Sequence, residues 1–190
     1  MLILGIDPGS QILGYALLQI KESRCKIIEM DVLYLKRTAE FDKRIEQIFH
    51  SVNDIIESRH PDVLAIEAPF LGKNAQSMLK LGRAQGIAIA AALAHNIPYT
   101  EYEPSLIKRT VTGNGNASKE QVCDILRSIL GFEDKPHYLD ASDALAVAYT
   151  KYIETSGIGG LVTPKPSGKN KKSAKKQWAE FIMENPERVS

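Results

Sequence analysis

Four acidic residues stand where the chain could do metal chemistry. Asp7 closes the apolar run Leu2–Ile6, and Glu67 closes the run Val63–Ile66. Both runs are continuous rather than alternating, so both predict short strands covered on two faces. Ligand sites of open α/β sheets gather at the carboxyl ends of the strands. If these two strands are parallel neighbours, Asp7 and Glu67 meet at one edge. Asp140 and Asp143 stand three apart at the start of a helical stretch and share a face. Each acid alone has a plainer reading. Asp7 could begin the turn Asp7-Pro8-Gly9, Glu67 could cap the next helix, and the two aspartates suit a helix N-terminus. Together, four converging carboxylates would raise one another's pKa values unless a cation compensates them. Hard oxygen ligands favour Mg²⁺ or Mn²⁺. Two such ions about 4 Å apart would clamp a phosphodiester between an attacking water and a leaving oxygen. Cys25 and Cys123 are far apart and form no CxxC pattern, which excludes a zinc site or disulfide framework and fits a reducing compartment.

Residues able to grip nucleic acid lie nearby in sequence. Phe70 follows Glu67 in a loop; a core position is the commoner fate of a phenylalanine, and stacking on an unpaired base is the alternative. Lys108, Arg109 and Lys119 bracket the Gly/Asn-rich segment Thr112–Ala117. A solvated basic surface is the ordinary state of lysine. Three cations around a glycine-rich loop beside an acidic site point instead to phosphate, and Lys119 sits at a helix start that already favours anions. Lys73, Asn74, Lys80 and Arg83 open a long helix and could line the same path.

The elements that must position these residues follow from periodicity. Leu2–Asp7, Leu13–Ile20 and Arg24–Leu35 predict three strands in an antiparallel meander. Apolar residues at steps of three and four predict a helix over Glu40–Ser58. A strand ending at Glu67, an alanine-rich helix over Ala75–His95 and a short strand over Ile97–Thr100 come next. Ser105–Val111 predicts a short helix, and Thr112–Ala117 a mobile loop. Ser118 with Gln121 is a capping-box pattern that starts a helix running to Leu130. The last helix covers about Leu139–Tyr152. Gly82-x-x-x-Gly86 and the alanines after it suit close helix approach, in the core or at a dimer seam. The pattern is α/β, a mixed sheet covered by helices.

Composition sets the boundaries. The 190 residues make one domain with a tail: 1–156 folded, 157–190 basic and flexible. The formal net charge of +1 excludes a uniformly basic coat. It hides an asymmetry, because residues 161–190 carry seven Lys and Arg against three Asp and Glu. Such a tail adds salt-sensitive affinity for an anionic partner, or merely solubility. The longest apolar run, Ile87–Ala94, is far shorter than the roughly 20 residues that span a bilayer. No signal peptide is recognisable, so the expected location is cytoplasmic.

Three blocks of this sequence resemble one family. Leu4-Gly5-Ile6-Asp7-Pro8-Gly9-Ser10 with Gly14-Tyr15 is similar to the opening of the RuvC family of Holliday-junction resolvases. Ala65-Ile66-Glu67, Phe70, Lys73-Asn74-Ala75 and Leu79–Gly86 resemble its second block, and Asp140-Ala141-Ser142-Asp143-Ala144-Leu145-Ala146 its third. The resemblance spans about residues 1–155. It implies a ribonuclease H-like fold with a five-stranded mixed sheet and helices on both faces. It implies a homodimer that nicks opposed strands of a four-way DNA junction with Mg²⁺, two ions per site, Mn²⁺ substituting. The implied ligands are Asp7, Glu67, Asp140 and Asp143. Some members place a histidine at the third acidic position; here Asp140 stands there, with His137 nearby. The implied DNA contacts include Phe70, Lys108 and Lys119, and the implied partners are RuvA-like and RuvB-like branch-migration proteins. An actin-like ATPase also opens with an Asp-x-Gly strand, but pairs two such domains. A resolvase similar to YqgF and a noncatalytic junction-binding module are the other readings.

Overall fold

The computed structural model describes residues 1–9, 11–22, 24–35, 40–69, 74–132 and 139–157. Strands β1 (Leu2–Asp7), β2 (Ile12–Lys21) and β3 (Arg24–Tyr34) form the antiparallel meander. Helix α1 (Phe41–Arg59) leads to β4 (Val63–Glu67), α2 (Ala75–Ala94) and β5 (Tyr99–Tyr102). Helices α3 (Pro104–Thr112), α4 (Lys119–Leu130) and α5 (Leu139–Thr155) complete the order. The sheet runs β3-β2-β1-β4-β5, with β1, β4 and β5 parallel. The fold class is therefore the α/β, five-stranded mixed sheet expected.

Alternation along the two central strands sorts the core into two layers. Leu4, Ile6, Leu64 and Ile66 pack under α1 and α2 with Ile48, Val52, Ile56, Ala84 and Ala88. Ile3, Val63 and Ala65 face the other way, onto Ile107, Leu126, Leu145 and Val147 of α3, α4 and α5. With a side-chain period of two, Asp7 follows Ile3 and Gly5 onto the α5 side, and Glu67 follows Val63 and Ala65 there. Parallel register pairs Ile6 with Ile66, so the two acids end adjacent strands level with each other.

Two glycines let α5 sit directly on the sheet. A methyl group at Gly5 would overlap the Ala144 carbonyl, and one at Gly14 would overlap the Asp140 carbonyl. Gly14 is also the cross-strand partner of Asp7. The glycine at position 14 thus brings the first turn of α5, with Asp140 and Asp143, against the end of β1. Backbone approach of this kind is open only to glycine.

Three expectations change. The last strand begins at Tyr99, not Ile97: Pro98 has no N–H for a ladder, its carbonyl accepts from Leu64, and Ile97 is buried under the sheet. The Thr112–Ala117 loop is pinned rather than mobile. The Thr112 hydroxyl and Asn114 backbone bond in both directions at 3.0 Å, Asn114 Oδ1 accepts from the Asn116 N–H at 3.0 Å, and Ala117 is buried. Gly82 and Gly86 do not pack in the core: a Cβ at either would meet no atom within 4 Å, and α2 buries Ala84, Gln85, Ala88, Ala91 and Ala92 instead.

Candidate active site

The acids converge. Single carboxylate oxygens of Asp7, Asp140 and Asp143 lie within 4.8 Å of one another. Magnesium binds oxygen at about 2.1 Å, so oxygens on opposite sides of one ion stand about 4.2 Å apart. The three oxygens are thus gathered near the span of one ion's ligand shell, and the all-oxygen donor set suits a hard divalent ion. Glu67 lies outside that trio but lines the same cleft with Asp7 and Asp143. The cleft, about 420 Å³, continues between α3 and α4 past Ser105, Lys108, Asn116 and Lys119, over a floor of Ile107, Val122 and Ala146.

Burial and mutual repulsion set the protonation of these acids. Burial, then the charge of Asp143, pushes the Asp7 carboxyl up to about 7. Burial, then the charges of Asp7 and Asp143, pushes Glu67 up to about 8. Burial also raises Asp143, and the hydrogen bond from Lys119 pulls against it without cancelling it. The structure thus holds the Asp7 and Glu67 carboxyls part-protonated near neutrality, burial first and neighbouring acids second.

Lys119 supplies the nearest cation. Its ammonium bonds Asp140 Oδ1 at 3.2 Å and Asp143 Oδ2 more closely still. Burial alone would lower its pKa; the hydrogen bond to Asp143 and the charges of Asp143, Asp7 and Asp140 outweigh that and hold it above its usual range. A capping box fixes its backbone: Ser118 Oγ accepts from the Gln121 N–H at 3.3 Å, and Gln121 Oε1 accepts from the Ser118 N–H at 2.9 Å. The expected phosphate-facing lysine is therefore paired with the acids, an ion pair invisible in a sequence separation of more than twenty residues.

The other expected contacts divide. Lys108 lines the acidic cleft, while Arg109, one step round α3, is exposed. Asn74 caps α2, its Oδ1 accepting from the Ser77 N–H at 3.1 Å. Arg83 stacks its guanidinium 5.5 Å from the centre of the Phe41 ring, which Arg44 also approaches at 5.6 Å. Lys80 is exposed on the same helix. Phe70, Lys73, His137 and residues 158–190 lie outside the described residues. Ser105, Asn116 and Gln85 were not foreseen. Gln85 is 7% exposed and donates to Glu101 Oε2 at 2.8 Å and to the Glu67 carbonyl at 3.4 Å, tying α2 to the strand ends. Its signal was present: it is the one polar residue on the buried alanine stripe of α2.

A mixed five-stranded sheet carrying acids on its central parallel strands, and two more on a helix laid across them, defines a ribonuclease H-like protein of the nuclease kind. The family model described as "Crossover junction endodeoxyribonuclease RuvC" matches residues 3–151. The chain belongs to the RuvC family of crossover junction endodeoxyribonucleases. It is 49% identical to the RuvC of Bacteroides fragilis over 191 residues, 99% of this chain and 95% of that relative. It is 45% identical to the RuvC of Cytophaga hutchinsonii, over 99% of this chain and 88% of that one. Among solved structures, T. thermophilus RuvC in complex with a Holliday junction substrate superposes with a TM-score of 0.76 at 28% identity, covering 83% of this chain and 96% of that one. Both sequence alignments run past residue 151, so the C-terminal segment is not private to this chain.

Proposed function

We propose that this enzyme resolves four-way DNA junctions in homologous recombination and repair, hydrolysing one phosphodiester on each of two opposed strands. The observation that carries the reading is the meeting of Asp7, Asp140 and Asp143 oxygens within 4.8 Å, with Glu67 on the same cleft. These four acids would hold two Mg²⁺ ions, with Mn²⁺ able to substitute. Bound there, the ions would supply Lewis acidity to a water and to the leaving oxygen. Asp7 and Asp140 would hold metal close to the attacking water, and Glu67 and Asp143 would complete the sites. Lys108 and Lys119 neutralise the phosphate between α3 and α4. Phe70 stacks on an opened base, and Lys73, Asn74, Lys80, Arg83 and Arg109 follow the strand backbone.

Two symmetric cuts require two symmetric sites, so the working form is a homodimer. The outer face of α2 is the seam that best fits. Leu79 is 56% exposed and Leu93 53%, and Gly82 and Gly86 lie between them with open space above. RuvA-like and RuvB-like proteins would deliver the junction. Residues 1–156 form the nuclease domain, and the basic composition of 157–190 suits nonspecific DNA affinity or solubility. No helix among the described residues is long and apolar enough to cross a membrane; action on DNA would place the enzyme in the cytoplasm.

The test is a synthetic mobile junction incubated with Mg²⁺. Symmetric ligatable nicks are expected from the native enzyme, and none from Asp7→Asn, which should still bind the junction. Tight binding without Mg²⁺-dependent cleavage by the native chain would instead establish a noncatalytic junction-binding module.

A further inference from the structure

The acidic oxygens already have a cationic partner from within the chain. Lys119 Nζ lies 3.2 Å from Asp140 Oδ1 and in closer contact with Asp143 Oδ2, two of the three residues whose oxygens are gathered for an ion. A divalent ion bound at about 2.1 Å to either carboxylate would stand within a few ångströms of that ammonium, so the two cations repel across one pair of acids. The geometry points to Lys119 as an internal competitor of the divalent ion: the ammonium and the ion are alternative occupants of Asp140 and Asp143. This inference rests on the reading of the acids as a metal centre.

Three features make the exchange workable. The capping box anchors the Lys119 backbone, so only the four-carbon stem must swing. Its side chain is 50% exposed, while Asp143 is 13% exposed, so the lysine has solvent to move into and the acid does not. Lys108 lines the same cleft, and its ammonium has no hydrogen bond or ion pair among the described residues, so a phosphate lodged beside it would meet a displaced Lys119 as a second cation. An ion entering the acids would thereby release Lys119 toward the phosphate. Lysine suits such a part better than arginine, being a compact charge on a flexible stem rather than a rigid bidentate fork.

The test separates occupancy from mere positive charge. Mn²⁺ binding to the full-length protein is followed by electron paramagnetic resonance of free Mn²⁺, without DNA, for the native chain, Lys119→Met, Lys108→Met and Asp143→Asn. Circular dichroism checks that each variant is folded. Lys119→Met should bind the first Mn²⁺ about tenfold more tightly than the native chain. Lys108→Met removes an equal charge from the same cleft without freeing any ligand oxygen, and should tighten Mn²⁺ binding by much less than Lys119→Met does. Equal gains in both variants, or none in Lys119→Met, would overturn the competition and leave the metal centre standing. Asp143→Asn should lose Mn²⁺ binding. Native-like binding in that variant, or no binding in any chain, would overturn the metal centre itself and the competition with it.

Discussion

Helices α2 and α5 are close in length and both are rich in alanine, yet they serve opposite ends. On α5, ten residues from Ala141 to Tyr152 are buried, on nearly every side of the helix. On α2 only five are, in a single stripe, and its glycines face open space. The difference lies in which partner supplies the small residue. For α5 the sheet supplies it, at Gly5 and Gly14, so helix backbone meets strand backbone and the first-turn aspartates are set against β1. For α2 the helix itself carries Gly82 and Gly86, on the side away from its own sheet. A glycine in the sheet lets a helix backbone settle against it; a glycine on the open side of a helix leaves free surface.

This contrast can be broken from either side. The largest effect is expected on α5: Asp143→Asn should lower Mg²⁺-dependent junction cleavage by at least about a thousandfold, as loss of a transition-state-stabilising group can, with little change in melting temperature. Cleavage kinetics and calorimetry together check it. Next comes Gly14→Val, which must push α5 off the sheet. Overpacking of this kind costs about 1–3 kcal/mol or more, and cleavage should fall about a hundredfold because Asp140 and Asp143 move with the helix. Denaturant melts and cleavage rates read both numbers.

Gly86→Leu on α2 should behave otherwise. It should leave protomer stability equal or slightly higher, since leucine is a better helix former than glycine by about 0.8 kcal/mol. Sedimentation should show a shift from dimer to monomer, and paired nicking should fall while single metal ions still bind. A Gly86→Leu chain that remains dimeric would remove α2 from the seam.

The smallest effect is one of pH. Asp7 and Glu67 are raised to about 7 and about 8 in the folded chain. The fold therefore holds more protons than the unfolded chain between roughly pH 4 and 8, and the stability these groups contribute is lost as pH rises through that window. An ion that replaces the protons should restore it. Adding Mg²⁺ should raise the melting temperature by a few degrees at pH 8.5 and hardly at all at pH 5.5, by differential scanning fluorimetry. Equal shifts at both pH values would detach the acids from the ion.

Much of this was legible in the residues. Asp7 and Glu67 declared themselves by ending continuous apolar runs, and strand alternation then fixed the face they share. Asp140 and Asp143 were legible as a pair, but their nearness to β1 depends on Gly14, more than a hundred residues earlier. The loop at residues 112–117 read as mobile because glycine and asparagine dominate it; the Asn114 side chain and the Thr112 hydroxyl that pin it act through geometry, which composition does not carry. Arg83 read as a DNA contact, and its stacking on Phe41 joins two helices whose mutual position no local pattern encodes. Lys119 was legible as a cation near the acids, but its ion pairs with Asp140 and Asp143 span more than twenty residues and no local pattern announces them.

The level ending of β1 and β4 has a metric consequence. Adjacent strands stand about 4.8 Å apart because that is the repeat of the backbone ladder. The backbones of Asp7 and Glu67, ending neighbouring strands, inherit this interval from peptide geometry, and the unequal side chains carry their carboxyls on from there. The enzyme's ruler is thus the hydrogen-bond lattice itself, a length no substitution on the surface can recalibrate. Side chains choose what is bound at each mark, and the sheet has already decided how far apart the marks are.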